Sequence, residues 1–408
     1  MDDRRLYETI LGLSAPWRVS GVEVVSEEEE IRVALELTGS SGLCCPECVQ
    51  SAPRYDRGAE RRWRHLDTCQ YRTVLVARVP RVECPEHGVR QIRVAWAEDR
   101  SRYTALFEAM AIRLLRETTV SGLSRLMDLS WDEAEGILKR AVARGLARRE
   151  HEPVRFMGID ETSFQKRHEY VTVVSDLERT RVIWVGDDRK KATLARFWAE
   201  FPPDLMQYIE EVAMDMWEPY IRTTLEALPD ADSKIVIDRY HVAHLLTDAV
   251  DRVRRKEQAA LRASGDHSLD RTRFLWIKGA DRRALSEDLL IEELSEAGLK
   301  VGEAWALKEA ATRLWEYQHQ GWALRFFAKW YAWATESELP PIVRVAETMK
   351  RYIRWILHYL RNHLTNAGAE AMNAKIQEVK YRARGYRNRD NFRRAILFYC
   401  GGLDLDPR

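Results

Sequence analysis

Hydrophobic and polar positions alternate with a period of two in several short stretches near the start of the chain. Residues 17–25 and 31–37 both show this alternation, so the sequence predicts a small hairpin. The same alternation over residues 72–82 predicts a further strand. We therefore expect residues 1–100 to form a β-rich module.

A helical pattern follows this module. Apolar residues recur at helical spacing over residues 107–114, and shorter apolar patterns predict helices over residues 120–127 and 131–142. Ser130 is the predicted N-cap of the third helix, and Glu133 completes a capping box. This arrangement predicts a helix-turn-helix whose third helix enters the major groove of DNA, although any packing unit of three helices gives a similar pattern.

Strand and helix patterns alternate in the middle of the chain. Strands are predicted over residues 156–163, 170–176, 181–186, 211–216 and 234–238, and helices over residues 190–201 and 219–228. The order βββαβαβα is that of an RNase H-like α/β core. In that fold the first and fourth strands lie side by side, so we expect Asp160 and Asp215 to face each other. Residues 242–364 are helical in pattern and rich in tryptophan, which predicts an all-α insertion with most of its tryptophans buried.

Length and composition narrow the class of protein. A chain of 408 residues exceeds the roughly 250 to 300 residues of a single core, so more than one domain is expected. The chain has no run of about 18 apolar residues and does not begin with the basic-then-apolar order of a secretory signal. We therefore expect a cytoplasmic protein, associated with the nucleoid. In that reducing compartment, six cysteines indicate metal binding or free thiols rather than disulfides.

Four of the seven cysteine and histidine positions in the amino-terminal module form a duplicated knuckle. Residues 45–48 read Cys-Pro-Glu-Cys, and residues 84–87 read Cys-Pro-Glu-His. This spacing predicts a tetrahedral structural Zn²⁺ site. The candidate zinc ligands are Cys45, Cys48, Cys84 and His87. Cys44 is an alternative to Cys45, and Cys69 and Cys400 are expected to be small core residues.

These patterns predict a multidomain α+β protein. Its expected parts are a zinc-binding domain over residues 1–100, a helix-turn-helix domain over 101–150, the first part of the RNase H-like core over 151–241, the helical insertion over 242–364, and the last core helix with a basic tail over 365–408.

Net charge alone says little about nucleic acid, because it is only +1. Basic residues nevertheless collect in four runs, at residues 54–64, 139–149, 252–256 and 375–394. Each run could be a solvated helix face, but four runs beside recognisable modules favour contact with phosphate. The candidate DNA-contacting residues are Lys139, Arg140, Arg144, Asn373, Lys375, Lys380, Arg382, Arg384 and Arg387.

Two aspartates end apolar, strand-like runs, where an unpaired charge is costly. Asp160 follows such a run and Asp215 follows another, while Glu370 lies where a loop runs into a helix. Two or three carboxylates suit Mg²⁺, and a pair of ions about 3.5 to 4 Å apart is a known arrangement for phosphoryl transfer. Each acid taken alone could instead be a helix cap or an ion-pair partner.

These residues carry a resemblance to the insertion-sequence L-three (ISL3) family of transposases. The matching phrases are residues 158–161, 212–220, 238–242, 366–373 and 385–392, together with the two zinc knuckles. The resemblance implies an Asp-Asp-Glu catalytic domain with Asp160, Asp215 and Glu370 as ligands of two Mg²⁺ or Mn²⁺ ions. It also implies that Asp238 and His241 support the site, although Asp238 could simply cap a helix in which His241 packs.

The resemblance further implies a DNA transposase. Its partners would be double-stranded DNA, both transposon inverted-repeat ends and target, and two ends imply at least a homodimer. Cleavage and strand transfer would depend on the metal ions. Two alternatives remain open from the sequence: a catalytically inactive, domesticated transposase that acts as a sequence-specific DNA-binding regulator, and an RNase H-like nuclease.

Overall fold

The computed structural model describes residues 2–39, 42–165, 169–279, 283–362 and 367–407. The chain divides into two compact units. The first contains the described residues up to Arg149 and those from Leu403 onward, and the second runs from Glu150 to Gly402. Among the described residues, no helix combines the length and the apolar character that crossing a membrane requires.

The first unit begins with a short helix and seven strands. They are α1 (Asp3–Leu11), β1 (Trp17–Val25), β2 (Glu30–Leu37), β3 (Arg54–Asp56), β4 (Glu60–Arg64), β5 (Arg72–Arg78), β6 (Arg81–Cys84) and β7 (Gly88–Gln91). One sheet has the order β1-β2-β5-β4, and a smaller sheet has the order β3-β6-β7. The predicted hairpin is confirmed, because β1 and β2 pair antiparallel.

Tryptophan side chains fill the core of the larger sheet. Trp63 packs edge-on against Trp96 with ring centroids 5.4 Å apart, and Trp17 contacts Trp96 in the same way at 4.9 Å. All three rings are buried. The alternation read from the sequence therefore sets which side of each strand faces this core.

Three helices complete the first unit: α2 (Ala105–Glu117), α3 (Val120–Leu126) and α4 (Trp131–Arg148). The predicted capping box is confirmed, since the Ser130 hydroxyl accepts from the Glu133 amide and the Glu133 carboxylate accepts from the Ser130 amide. Ile112, Leu123 and Ile137, one from each helix, are fully buried. The predicted three-helix arrangement is thus present.

The second unit contains the remaining strands and helices. The strands are β8 (Phe156–Gln165), β9 (Glu169–Asp176), β10 (Arg181–Val185), β11 (Glu211–Met214) and β12 (Ile235–Ile237). The helices are α5 (Lys191–Glu200), α6 (Glu218–Ala227), α7 (Ala231–Lys234), α8 (Arg239–Ala263), α9 (Arg273–Ile277), α10 (Leu285–Glu296), α11 (Lys300–Thr312), α12 (Gln320–Glu336), α13 (Pro340–Asn362), α14 (Ala367–Arg382) and α15 (Arg389–Cys400).

The strands form one mixed sheet with the order β10-β9-β8-β11-β12. β8 pairs antiparallel with β9 and parallel with β11, and β11 pairs parallel with β12. The predicted neighbours, the first and fourth strands of this unit, therefore do lie side by side. Three parallel strands point their carboxyl ends toward the same edge of the sheet.

Helices cover both faces of this sheet. On one face, apolar residues of α5 and α6 pack against Ile159 of β8 and Val212 of β11. On the other face, α14 and α15 pack against Val171 and Val173 of β9. Because successive side chains of a strand point to opposite faces, neighbouring residues of β8 are aimed into different helical layers.

The described residues between β12 and α14 form helices, with no strand among them. Several of the tryptophans here are buried, as expected: Trp276, Trp315, Trp330 and Trp355. Trp322 and Trp333 on α12 are exposed instead. Cys400 is buried as predicted, but the prediction for Cys69 is wrong, because it lies exposed in a turn with a φ of 55°.

Candidate functional site

A pocket lies at the edge where the parallel strands of the second unit end. Asp160 lies within β8, Asp215 directly follows β11, and Asp238 directly follows β12. The residues that line the pocket are Gly158, Ile159, Asp160, Val173, Ser175, Ala213, Met214, Asp215, Asp238, His241, Met372 and Asn373. The pocket therefore collects the two predicted aspartates and the predicted supporting pair.

The side chain of Asp160 is fixed by two hydrogen bonds. Asp160 lies opposite Val173, whose side chain packs against α14 and α15, so the carboxylate points toward that layer. There the Asn373 amide donates to Asp160 Oδ2 at 2.5 Å. The backbone amide of Glu161 donates to Oδ1 at 2.7 Å. One carboxylate oxygen is thus held by its own strand and the other by α14.

Burial raises the pKa of the Asp215 carboxyl. The nearby His241 lowers this pKa, whereas the charges of Asp160 and Asp238 raise it further. Several acids packed into one partly desolvated pocket repel each other unless a cation lies among them. This donor set of carboxylate oxygens is the type that hard divalent cations prefer.

The third predicted acid is only partly defined. Glu370 lies in α14, but its side chain is outside the part of the chain that the structure describes. Asn373 lies three residues later in the same helix and reaches Asp160. The sequence predicts that Asn373 contacts DNA, which stays a prediction, and in the structure its amide donates to a carboxylate of the pocket.

Asp238 is the N-cap of α8. Its carboxylate accepts from the backbone amide of Tyr240 at 2.7 Å, and His241 Nε2 lies 3.7 Å from Asp238 Oδ2. The capping role left open by the sequence is therefore present. It coexists with a place in the pocket, because both side chains also line it.

Sequence reasoning gave no role to Glu161, which follows Asp160 and points to the opposite face. Its carboxylate accepts from Arg189 Nη1 at 3.0 Å, and burial raises the pKa of this carboxyl. The Arg189 guanidinium lies over the rings of Tyr170 and Trp217, with centroid distances of 4.4 and 4.9 Å. Two consecutive carboxylates in an apolar strand were the available signal, because they must enter two different environments.

The zinc knuckles come together in the first unit. The ligand atoms of Cys45, Cys48, Cys84 and His87 all lie within 4.8 Å of one another. His87 is supplied by the turn between β6 and β7, and its Nδ1 is 3.5 Å from Cys84 Sγ. The backbone amide of Cys48 lowers the pKa of the Cys45 thiol, which favours the thiolate that binds metal. Cys44 is exposed and lies outside this cluster.

The three basic residues predicted on α4 have different environments. Lys139 is exposed, as a phosphate contact requires. Arg144 is buried, donates to both Glu98 oxygens and to Glu108, and has only 7% of its side chain exposed. Arg140 also pairs with Glu108, at 2.7 Å. The expectation for Arg144 is therefore corrected: its donors are used inside the unit and are turned away from any phosphate.

The basic residues around the end of α14 are mostly exposed. Lys375, Arg382, Arg384 and Arg387 are all solvent-accessible. Lys380 differs, because its ammonium group donates to the Ser163 carbonyl at 2.6 Å and burial lowers its pKa. This residue joins α14 to β8 and is less free to contact DNA.

Comparison with known protein families gives three matches, which together cover most of the chain. A profile described as a transposase of the ISL3 group matches residues 157–396. A profile for the helix-turn-helix domain of transposase family ISL3 matches residues 92–142. A zinc-finger profile of the transposases of IS204, IS1001, IS1096 and IS1165 matches residues 42–87.

The chain belongs to the ISL3 family of transposases.

Full-length relatives of this ISL3 transposase agree with that assignment. The transposase for insertion sequence element IS1001 of Bordetella parapertussis is 28% identical over 400 residues, covering 96% of this chain and 97% of the relative. The transposase for insertion sequence element IS1557 of Mycobacterium tuberculosis is 27% identical over 418 residues, covering 95% and 93%. The chain is thus a DNA-binding DDE transposase. The alternative function, that of a catalytically inactive DNA-binding regulator, is not favoured.

Family membership also clarifies the two kinds of metal site in this transposase. The zinc-finger profile spans the Cys45–His87 cluster, and the profile and the cluster together support a structural zinc ion. The DDE family assignment indicates a divalent metal for catalysis. The four thiolate and imidazole donors suit zinc, whereas the carboxylate pocket suits a harder cation.

Proposed function

We propose that Asp160, Asp215 and Glu370 are the catalytic acids with which this transposase cleaves transposon ends and transfers the cut strand to target DNA. The observation that carries the proposal is the meeting of Asp160, Asp215 and Asn373 in one pocket. Asn373 reaches Asp160 from α14, the helix that also contains Glu370. Helical positions three residues apart lie on one face, so Glu370 is the natural third acid.

The proposal includes an RNase H-like architecture for the catalytic unit. The sheet order β10-β9-β8-β11-β12 supports it. In this sheet β8 pairs antiparallel with β9 and parallel with β11, and β11 pairs parallel with β12. The helices α8 to α13 lie between β12 and α14 in sequence, which supports an all-α insertion before Glu370.

The pocket fits Mg²⁺ by its donor chemistry. Asp160 and Asp215 are carboxylates held near each other, and burial with mutual repulsion raises the pKa of Asp215, a cost that a bound cation would relieve. Divalent ions bound there would supply Lewis-acid polarisation of the phosphodiester and would lower the pKa of an attacking water. Asp160, Asp215 and Glu370 would hold these ions.

Side chains of the protein would orient the acidic residues of the pocket and neutralise the phosphates of the DNA. Asn373 fixes Asp160 Oδ2, so the carboxylate keeps one orientation through the reaction. Asp238 caps α8 and keeps His241 beside Asp215. Exposed Lys375, Arg382 and Arg384 on and after α14 would contact the phosphates that flank the cleaved bond.

We further propose that the DNA partners are the inverted-repeat ends of the encoding element and a target duplex. The zinc and helix-turn-helix modules would recognise the ends, and pairing of two ends implies at least a homodimer. Since its substrate is chromosomal DNA, the protein would work in the cytoplasm on the nucleoid.

The decisive experiment compares the wild-type protein with Glu370→Gln on labelled end DNA and Mg²⁺, scoring nicked and joined products on a denaturing gel. We expect the variant to lose activity by about 10³ or more, because a lost metal ligand removes several kcal/mol of transition-state stabilisation. Asp160→Asn should lose nicking and joining activity to a similar extent. Binding of end DNA, measured without chelator and without added Mg²⁺ so that the structural zinc stays bound, should be retained by both variants.

Glu378→Gln is the matched control. Glu378 lies on the same helix, but 64% of its side chain is exposed and its ion-pair partner is Arg382 at 4.0 Å. This variant should nick and join like the wild type. Cleavage retained by Glu370→Gln would exclude Glu370 from the catalytic acids.

A further inference from the structure

An arginine is held between two aromatic rings in the second unit. The guanidinium of Arg189 lies 4.4 Å from the ring centroid of Tyr170 and 4.9 Å from that of Trp217. The indole nitrogen of Trp217 donates to the Arg189 carbonyl at 3.3 Å, which ties this ring to the backbone that carries the arginine. The plane of the guanidinium is therefore fixed on both sides.

This cluster is a neighbour of the pocket that contains Asp160 and Asp215. Glu161, which accepts from Arg189 Nη1 at 3.0 Å, directly follows Asp160 in β8. Trp217 comes two residues after Asp215, between the end of β11 and the start of α6. Since β8 and β11 pair in parallel, the arginine is held near the edge of the sheet at which the pocket lies.

The fold uses only part of the hydrogen-bonding capacity of Arg189. A guanidinium has several N–H donors, but among the described residues this side chain donates to Glu161 alone, through Nη1. It keeps 35% of its surface exposed. The adjacent Asp187 and Asp188 are paired with other cations. The Nε and Nη2 donors of Arg189 are therefore available to an anion from outside the chain.

We infer that Arg189 binds a phosphate of the DNA strand that is cut, close to the phosphodiester bond that enters the pocket. This inference rests on the proposed cleavage of transposon ends by the acids of that pocket. A guanidinium fixed in one plane presents two parallel N–H groups, and two oxygens of a phosphate accept from them. Because the rings and Glu161 hold the group before DNA arrives, less side-chain entropy is lost on binding.

The ion pair with Glu161 defines the competing role for Arg189, which is to neutralise a partly buried carboxylate. Removing the arginine alone affects both roles, because it also leaves the carboxylate without its cation. The double variant Glu161→Gln, Arg189→Gln separates them. It contains no unpaired carboxylate at this position, but it also offers no cation to a phosphate.

The first test measures single-turnover cleavage of labelled end DNA with Mg²⁺. Arg189→Gln should cleave about 10- to 100-fold more slowly than the wild type, the effect of one lost charge-assisted contact to the strand being cut. The double variant should be equally slow. Arg196→Gln is the matched control and should cleave like the wild type, because Arg196 also pairs with an aspartate, at 3.2 Å, and lies over a tryptophan ring, at 5.3 Å.

The second test identifies the phosphate that is bound. End DNA is prepared with a neutral methylphosphonate in place of each phosphate that flanks the cleavage site, one position at a time. At one position the replacement should slow the wild type by the same factor as the loss of Arg189, and should not slow Arg189→Gln any further. At the other positions it should slow both proteins by equal factors. A variant that is merely destabilised would show no such dependence on position.

Wild-type cleavage by Arg189→Gln or by the double variant would overturn the inference, and in the second case Arg189 would serve only to neutralise Glu161. Equal effects of every methylphosphonate on the wild type and on Arg189→Gln would overturn it as well. A wild type that does not cleave end DNA with Mg²⁺ would instead overturn the proposed function, and the inference with it.

Discussion

The side chain of Asn373 donates a 2.5 Å hydrogen bond to Asp160, although the two residues are 213 positions apart in sequence. The bond joins the central strand of the sheet to α14, the helix that contains Glu370. A residue that fixes one oxygen of a metal-binding carboxylate sets the direction of its free lone pairs. We therefore treat Asn373 as a positioning residue of the proposed active site.

Replacement of Asn373 by alanine should slow strand cleavage by about 10- to 100-fold and raise the Mg²⁺ concentration needed for half-maximal rate. Single-turnover cleavage of labelled end DNA at several Mg²⁺ concentrations checks both effects. Gln377→Ala is the control, since Gln377 lies one turn later and donates to the Thr162 hydroxyl at 2.7 Å instead of to a carboxylate. If Asn373→Ala weakened DNA binding as much as cleavage, Asn373 would be a DNA contact and not a positioning residue.

The zinc cluster distinguishes two adjacent cysteines. Cys45→Ser should abolish stoichiometric zinc and lower the melting temperature, because a structural zinc site contributes directly to folding. Cys44→Ser should keep both properties, since Cys44 is exposed and outside the cluster. Zinc content by mass spectrometry and thermal melting provide the measurements. Loss of zinc from Cys44→Ser, but not from Cys45→Ser, would reverse the ligand assignment.

The buried network around Arg144 predicts a stability effect without a specific DNA effect. Arg144→Gln leaves Glu108, of which 1% of the side chain is exposed, with Arg140 as its remaining cationic partner. We expect the free energy of unfolding to fall by about 3 kcal/mol, the lower end for breaking a buried pair. Urea titration followed by circular dichroism measures it. Lys139→Gln on the exposed face should change stability by only about 0.5 kcal/mol, and equal losses in the two variants would contradict this assignment.

His65 predicts a pH dependence of stability. This histidine is 3% exposed and bonded to Thr104 at 2.9 Å, and burial lowers its pKa from 6.5 to about 4. Between these values the unfolded chain binds a proton that the folded chain does not, so stability is lost as the pH falls from 6.5 toward 4. The loss is about 3 kcal/mol at most.

Comparison with His65→Gln isolates this contribution. Glutamine does not titrate, so the variant's urea midpoint should fall less steeply than that of the wild type over the same pH range. Both proteins carry the same cysteine and histidine cluster, and any protonation of the zinc ligands cancels in the difference. Identical slopes would show that His65 titrates alike in the folded and unfolded states.

The local elements and their order follow from the amino-acid sequence alone. Alternation with period two gave β1 and β2, helical spacing gave α2 to α4, and the order of strands and helices after Arg155 agrees with the observed elements to within a few residues. These features depend on neighbours a few positions away, so a linear pattern contains them. The zinc ligands were also readable, because each knuckle fixes the spacing of its own pair.

Which side chains meet depends on packing between segments that are distant in sequence. Whether Arg144 faces DNA or Glu108, and whether Asn373 contacts a phosphate or Asp160, depends on residues 36 and 213 positions away. Cys69 looked like a core residue but lies in a turn of positive φ. A sequence pattern gives the face of an element that is buried, whereas the partner on that face is set by packing between distant segments. Charge and polarity do not reveal that partner, because buried ion pairs and DNA contacts are made by the same types of side chain.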